Sequence, residues 1–362
     1  MSTPRFYALT IAEVSPEAAG AVAISFDIPA ELSDTFAFEP GQFLTLKATI
    51  DGQEVRRNYS ISCPRSWLHQ RRRLQVGIRP VKDGVFSNWA AQTLKAGQTL
   101  EVMPPDGRFV AKRPRALHRV GFASGSGITP ILSMAATLLE ESDTAKFTLV
   151  YGNRRQNSIM FNEALQDLKD RYADRFTMVH ILSRQAQEVD LLQGRIDGPK
   201  VEAIVNTLLP IASMDEVFVC GPEAMMDAVQ TTLVALGLKP ERIRSEHFAA
   251  STAVAAKVQR DTDTPAPVQA VTELTLVMDG KQHLIAMQSG QNVLDACLDA
   301  GLDLPFSCKA GVCCACRAKV LCGEVTMAKN FTLEADEVAQ GFVLTCQSHP
   351  TTPTLTVSFD DR

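Results

Sequence analysis

Cys308, Cys313 and Cys316 stand in a C-x4-C-x2-C run, and Cys346 follows after 29 intervening residues. Thiolates are soft iron ligands, and this is the spacing with which four of them enclose a plant-type [2Fe–2S] cluster. Lys309-Ala310-Gly311-Val312 supplies small, flexible residues, and Gly311 lets the backbone turn tightly and present amides to the sulfides. A structural zinc site is the competing use of four cysteines. Zinc ribbons usually carry two C-x2-C pairs, whereas here one pair is C-x4-C and the last cysteine stands alone, so the spacing favours the cluster. Of the remaining cysteines, Cys314 reads as a small packed residue, and Cys63, Cys297 and Cys322 read as buried apolar side chains. The nine cysteines are an odd number, which argues against a disulfide framework.

Two further groups of residues carry nucleotide chemistry. Arg57-Asn58-Tyr59-Ser60 follows an apolar-rich strand. An arginine there neutralises a flavin pyrophosphate, a tyrosine lies on the isoalloxazine, and a serine hydroxyl reaches the flavin N5 edge. An Arg/Tyr pair facing solvent at a strand edge is the plainer reading. Arg79 and Gly84-Val85-Phe86-Ser87 follow, the latter opening a helix. A glycine turn with a serine at a helix start offers amides and a hydroxyl to phosphate, and the two motifs together favour a flavin. Arg71-Arg72-Arg73 reads as a solvated loop.

Gly125-Ser126-Gly127-Ile128-Thr129-Pro130 sits between a strand and a helix. Its glycines let a dinucleotide pyrophosphate approach the backbone, and the helix N-terminus favours its charge. Pro130 replaces the last glycine of the full G-x-G-x-x-G fingerprint, so a tight βα turn is the alternative. Tyr151-Gly152-Asn153-Arg154, Ser183-Arg184 and Cys220-Gly221-Pro222 lie at carboxyl ends of predicted parallel strands, where open α/β sheets bind ligands. Ser183-Arg184 suits a 2′-phosphate and so favours NADPH over NADH. Cys220 reads either as core or as a sulfur beside the nicotinamide.

These residues need elements to hold them. A chain of 362 residues predicts two or three domains. Residues 1–112 read as short β-runs (21–28, 43–50, 74–79, 99–103) separated by Asp-Gly and Pro-Gly turns, an antiparallel β-barrel for FAD. Residues 113–248 alternate strands (120–123, 147–150, 177–182, 216–220) with helices (131–141, 161–172, 200–208, 224–236), an α/β parallel-sheet domain for NAD(P). Residues 249–270 show neither period and read as a linker spanning roughly 25 Å r.m.s. as a flexible coil. Residues 271–362 begin with strands at 273–278 and 283–287 and a helix near 293–300, then carry the cysteine loop. They hold 11 acidic against 6 basic residues, while the remaining residues hold 30 of each, so the net charge of −5 sits in this last quarter. Such a module is poorly suited to nucleic acid and well suited to docking on a basic protein patch. The start, MSTPRFYALTIAEV, lacks the basic end and apolar run of a signal peptide. The uncharged stretch 120–139 reads as strand, glycine turn and helix and not as a membrane span, which predicts a cytoplasmic protein.

In this order, RNYS, GVFS, GSGITP, CGP and the cysteine loop resemble the ferredoxin–NADP(+) reductase superfamily with a C-terminal β-grasp [2Fe–2S] ferredoxin domain, over almost the whole chain. YGNRRQNSIMFNEALQDLKDRY, LPFSCKAGVCCACRAKV and GFVLTCQSHP are most similar to reductase subunits of phenylacetyl-CoA epoxidase complexes. The resemblance implies FAD on Arg57, Tyr59, Ser60, Arg79, Gly84 and Ser87, with Glu246 and Phe248 closing over the flavin where the nicotinamide enters. It implies NADPH on Gly125, Gly127, Thr129, Pro130, Ser183, Arg184, Cys220, Gly221 and Pro222, and chemistry assisted by Ser60, Cys220 and Glu246. The implied activity passes electrons from NADPH through FAD and the cluster to an oxygenase of phenylacetate catabolism. The reductase of another oxygenase or of an acyl desaturase, and a metal-binding redox-sensing scaffold, are the alternatives. Two residues depart from the family pattern: Cys314, where a small hydroxyl residue or glycine is common, and Gln185, where an acid is common.

Overall fold

A computed structural model describes residues 5–111, 117–248 and 272–361. The first stretch forms six strands: β1 (Tyr7–Pro16), β2 (Val22–Asp27), β3 (Phe43–Ile50), β4 (Gln53–Ser60), β5 (Arg73–Ile78) and β6 (Thr99–Val102). They make one sheet in the order β4-β3-β6-β1-β2-β5, with antiparallel pairings throughout the registers from β3 to β5. The curved sheet closes on Leu9, Ile11, Ile24, Phe26, Leu46 and Val76, all fully buried. Asp51 and Gly52 both take positive φ (50° and 76°), the two-residue turn whose twist matches a right-handed hairpin between β3 and β4. Helix α1 (Ser66–Arg71) precedes β5, and α2 (Val85–Thr93) follows it. Two local expectations change. Arg57–Ser60 is the end of β4 itself and does not follow a strand. The arginine run is not a loop, because Arg71 ends α1, Arg72 takes a left-handed φ of 52°, and Arg73 opens β5.

The second stretch forms β7 (His118–Ser124), β8 (Lys146–Asn153), β9 (Phe176–Leu182), β10 (Glu216–Cys220) and β11 (Ile243–Glu246). These pair in parallel, in the order β11-β10-β7-β8-β9. Helices α3 (Ile128–Glu141), α4 (Asn162–Arg171), α5 (Gly198–Thr207) and α6 (Glu223–Ala235) provide the crossovers. β8 is buried from Phe147 to Asn153, as a strand covered on both faces must be. α3 is buried at every position from Ile128 to Leu139, more than a one-sided surface helix would be, because the barrel covers the face that the sheet does not.

That double burial makes the barrel and the parallel sheet one unit, Tyr7–Val55 with Tyr59–Phe248. The seam is hydrogen-bonded. Ser133 Oγ donates to the Cys63 carbonyl at 2.7 Å, the Arg65 N–H donates to Thr137 Oγ1 at 3.0 Å, and the Phe161 N–H donates to Glu17 Oε2 at 2.7 Å. At Gly77 in β5 an added Cβ would stand 2.7 Å from Thr129 Cγ2 and 2.8 Å from the Phe161 ring, so bare backbone lets the two layers meet.

The third stretch belongs to a second unit. Its strands are β12 (Thr272–Met278), β13 (Lys281–Met287), β14 (Arg317–Cys322), β15 (Val325–Met327), β16 (Phe342–Leu344), β17 (Ser348–Pro350) and β18 (Thr354–Ser358). Five make a mixed sheet, β13-β12-β18-β14-β16, in which β12 and β18 run parallel, and β15 and β17 pair separately. Helix α7 (Val293–Asp299) buries Val293, Leu294, Ala296 and Cys297 against this sheet, a β-grasp arrangement. A short α8 (Ala335–Ala339) leads into β16. Cys63 and Cys297 are buried as expected, but Cys322 is exposed. The register of β14 shifts between Val320 and Cys322, and the bulge turns that side chain out of the core. The 249–270 linker lies outside the described residues. Among the described residues, no helix is long and apolar enough to cross a membrane.

Candidate redox site

Three residues from distant parts of the chain meet where the barrel joins the parallel sheet. Ser60 ends β4 and is 4% exposed, and its hydroxyl donates to Glu246 Oε2 at 3.2 Å. Glu246 ends β11 and stands in register with Cys220, the last residue of β10. Glu246 as a residue is only partly buried, yet its carboxyl is enclosed. Burial pushes that group up to about 8, while the Ser60 hydrogen bond acts in the opposite direction. Cys220 is fully buried, and its thiol is held well above its ordinary range, first by burial and then by the nearby Glu246 charge. At neutral pH the trio is uncharged and holds protons, which suits a neutral ring stacking against it.

The glycine turn lies beside this trio. The 125–127 turn joins β7 to α3, and the Tyr151 hydroxyl donates to the Gly125 carbonyl at 2.8 Å. Gly125 has a positive φ of 57°, and a Cβ there would stand 2.6 Å from Arg79 Nη1, so the Arg79 guanidinium lies directly over the turn. At Gly127 a Cβ would stand 2.1 Å from the Cys220 carbonyl oxygen, so only glycine lets this turn close on the end of β10. Gly221 interlocks from the other side, 3.2 Å from Ser124 Cβ by the same measure, and Pro222 caps α6. Thr129 and Pro130 are buried in the first turn of α3, and Thr129 Oγ1 donates to the Ser126 carbonyl at 3.0 Å. These two residues shape the loop from within.

Around the barrel end, Gly84 caps α2, and among the described residues no side chain caps the helix's first-turn amides. A Cβ at Gly84 would stand 2.5 Å from Val81 Cγ2 and 2.6 Å from Ser87 Oγ. Bare amides at a helix start beside a tight glycine turn fit the charge of a flavin phosphate. Tyr59 is partly exposed, with its ring centroid 5.7 Å from that of Phe86. Arg57 is exposed, and its Nη1 donates to the Arg56 carbonyl at 2.7 Å. Phe248, 39% exposed, lies two residues beyond the end of β11.

At the ends of β8 and β9, Ser183 N–H donates to the Asn153 carbonyl and Arg184 N–H donates to the Arg154 carbonyl, at 2.9 and 2.8 Å. The Arg154 and Arg184 side chains are exposed. An open cavity of about 460 Å³ adjoins them, lined by Arg155, Gln156, Asn157, Asn162 and Gln185. Gln185 Oε1 accepts the Gln156 N–H at 3.0 Å, so this residue closes the loop where an acid would repel an anion.

In the second unit the four thiols of the cysteine loop come together as two pairs. Cys308 is paired with Cys313, and Cys316 with Cys346. The thiol beside it holds each of Cys308 and Cys346 below the ordinary thiol range, and Cys313 and Cys316 are pushed up by their partners and by burial. Such pairs match the two protein ligands that each iron of a [2Fe–2S] cluster takes. Lys309, Gly311 and Cys314 take positive φ (51°, 77° and 61°), which curls the loop and turns its amides inward. The Ala310 N–H donates to Cys308 Sγ at 3.3 Å, and Thr345 Oγ1, fully buried, donates to the Cys316 carbonyl at 2.9 Å. Cys314 is partly buried against the domain core. Sequence reasoning missed Thr345, the Tyr151 hydroxyl and Gln347, and adjacency to a cysteine was the available signal for two of them.

Comparison with known proteins agrees with this division of labour. The oxidoreductase FAD-binding domain model matches residues 10–110, the oxidoreductase NAD-binding domain model 122–231, and the 2Fe-2S iron-sulfur cluster binding domain model 276–351. The chain is 42% identical over 361 residues to a subunit of the 1,2-phenylacetyl-CoA epoxidase of Escherichia coli K12, covering 99% of this chain and 98% of that one. It is 35% identical over 358 residues to the ferredoxin reductase component of 3-ketosteroid-9-alpha-monooxygenase of Rhodococcus rhodochrous, covering 97% and 96%. The solved structure of phthalate dioxygenase reductase shares the fold, with a TM-score of 0.61 at 23% identity over 99% of this chain and all of that one. With three domain models matched in order and relatives alike over their whole length, the chain belongs to the ferredoxin–NADP(+) reductase superfamily, in the branch that carries a C-terminal 2Fe–2S domain.

Proposed function

We propose that this oxidoreductase is the reductase component of a multicomponent oxygenase, taking electrons from NADPH and delivering them to phenylacetyl-CoA epoxidase. The observation that carries the reductase reading is the Ser60–Glu246–Cys220 junction beside the Gly125–Gly127 turn. When bound, FAD accepts a hydride and the cluster carries single electrons. The residues of the chain do the rest. Ser60 and Glu246 orient the reacting edge of the flavin and hold a proton beside it. Cys220 gives the nicotinamide a neutral, close-packed neighbour. Tyr59, Arg57, Gly84 and Ser87 hold the flavin, with Phe248 over its open side, and Arg79 neutralises phosphate charge above the glycine turn. Gly125, Gly127, Thr129, Pro130, Gly221 and Pro222 shape the dinucleotide cleft.

The choice of NADPH rests on the exposed Arg184 beside Ser183, with Arg154 nearby, which supply donors for a 2′-phosphate. Cys308, Cys313, Cys316 and Cys346 are the proposed iron ligands. The proposed domain limits are 1–112, 113–248 and 271–362, with 249–270 as the linker. A reducing cytoplasm suits a chain in which none of the nine cysteines is joined in a disulfide.

The epoxidase assignment is supported by the relative at 42% identity, against 35% for the ketosteroid system. Turnover of phenylacetyl-CoA by purified oxygenase subunits, with this chain as sole reductase, tests it. Rapid NADPH oxidation by the chain with no epoxide formed, and efficient support of a 3-ketosteroid hydroxylase instead, would move the assignment to the second partner.

A further inference from the structure

The cluster loop carries a side chain that none of the motifs accounts for. Gln347 follows the last cysteine and begins the approach to β17. Its carbonyl accepts the Ala328 N–H at 2.9 Å, so its backbone is pinned to the segment after β15. Its side chain reaches back across the loop. Nε2 donates to the Lys309 carbonyl and to the Cys346 carbonyl, both at 3.0 Å, and lies 3.7 Å from Cys346 Sγ. Two carbonyl acceptors leave one orientation for the amide, because Oε1 in the same place would repel both. The bare backbone of Gly311 makes room for this crossing, since a Cβ there would stand 3.3 Å from Gln347 Cγ.

We infer that Gln347 is a positioning residue for the iron–sulfur centre, an amide brace that ties the Cys308 end of the loop to the Cys346 segment and holds the positive end of its amide dipole near the Cys346 sulfur. The inference rests on the reading of the four thiols as iron ligands. Two effects follow. Lys309 sits at a positive φ that nothing else in its own residue type favours, and the brace holds it there next to Cys308. The positive end of an amide dipole held near a ligating sulfur stabilises the more negative, reduced form and so raises the reduction potential.

The test uses the full-length protein, purified and handled anaerobically. Gln347→Leu keeps the bulk without the donors, and Gln347→Glu keeps the length while placing oxygen against two carbonyls. Both variants should show a cluster potential more negative than that of the wild type, an altered EPR anisotropy, and iron release to a chelator about tenfold faster. Reduction of their flavin by NADPH should keep its wild-type rate. Unchanged potential, EPR signal and iron release in both variants would overturn the inference. If neither variant retains iron, wild-type protein labelled with ¹⁵N at the glutamine side chains decides the matter by pulsed EPR. A nitrogen coupling to the reduced cluster supports the brace, and its absence removes it. Wild-type protein without iron and inorganic sulfide would instead defeat the ligand assignment itself, a distinguishable outcome.

Discussion

The Ser60 hydroxyl donates to the Glu246 carboxyl at 3.2 Å across 186 residues of chain, joining the last residue of a barrel strand to the last residue of the parallel sheet. One bond therefore reports whether the two layers are assembled. Ser60→Ala should slow flavin reduction by NADPH on the order of a hundredfold through misalignment of the reacting edge. Stopped-flow reduction measures it, and a wild-type rate would remove Ser60 from the chemistry.

The raised carboxyl of Glu246 has a signed consequence. Its value is about 8 in the folded chain, against 4.5 for the ordinary group. Between those values the folded protein keeps a proton that the unfolded chain has lost. The stabilisation is thus complete below pH 4.5 and falls away as pH rises through 8. Glu246→Gln should flatten the decline of melting temperature between pH 6 and pH 9, seen by thermal unfolding at a series of pH values. A variant as pH-sensitive as the wild type would place the titration elsewhere.

Gly127→Ala adds a methyl 2.1 Å from the Cys220 carbonyl oxygen, a contact that only backbone movement relieves. It should cost about 1–3 kcal/mol and raise the KM for the nicotinamide dinucleotide. Gly97 is the control: it has positive φ but nothing within 4 Å of an added Cβ, so Gly97→Ala should cost about 1 kcal/mol and leave KM alone.

Arg184→Ala should raise the KM for NADPH about tenfold or more and leave that for NADH nearly unchanged, since only the 2′-phosphate loses a partner. Steady-state assays with both nucleotides decide it. Equal losses would assign Arg184 to the shared part of the dinucleotide.

Raising the salt from 50 to 300 mM should slow electron delivery to the oxygenase more than hydride uptake from NADPH. The acidic excess of the C-terminal quarter is then screened from the partner, while the dinucleotide cleft depends on close contacts. Equal sensitivity of both steps would contradict docking through that surface.

Local rules carried much of this molecule into the linear sequence. The Asp51-Gly52 turn, the β8 run and the glycine turn before α3 follow from backbone sterics and burial, which act over a few residues, and they fall where the sequence puts them. The cysteine spacing is likewise local for three of the four thiols. Other features depended on partners far along the chain. No pattern in Glu246-His247-Phe248 predicts a desolvated carboxyl, because its desolvation comes from the layers that close on it. Nothing near Gly127 foretells the Cys220 carbonyl against it, and Cys322 turned outward because of a bulge fixed by its pairing with β18. Sequence determines which backbones can turn and which side chains can react. Tertiary packing alone decides which of them lose water together, and that loss sets the proton on Glu246 and the reach of Gln347 to the Cys346 sulfur.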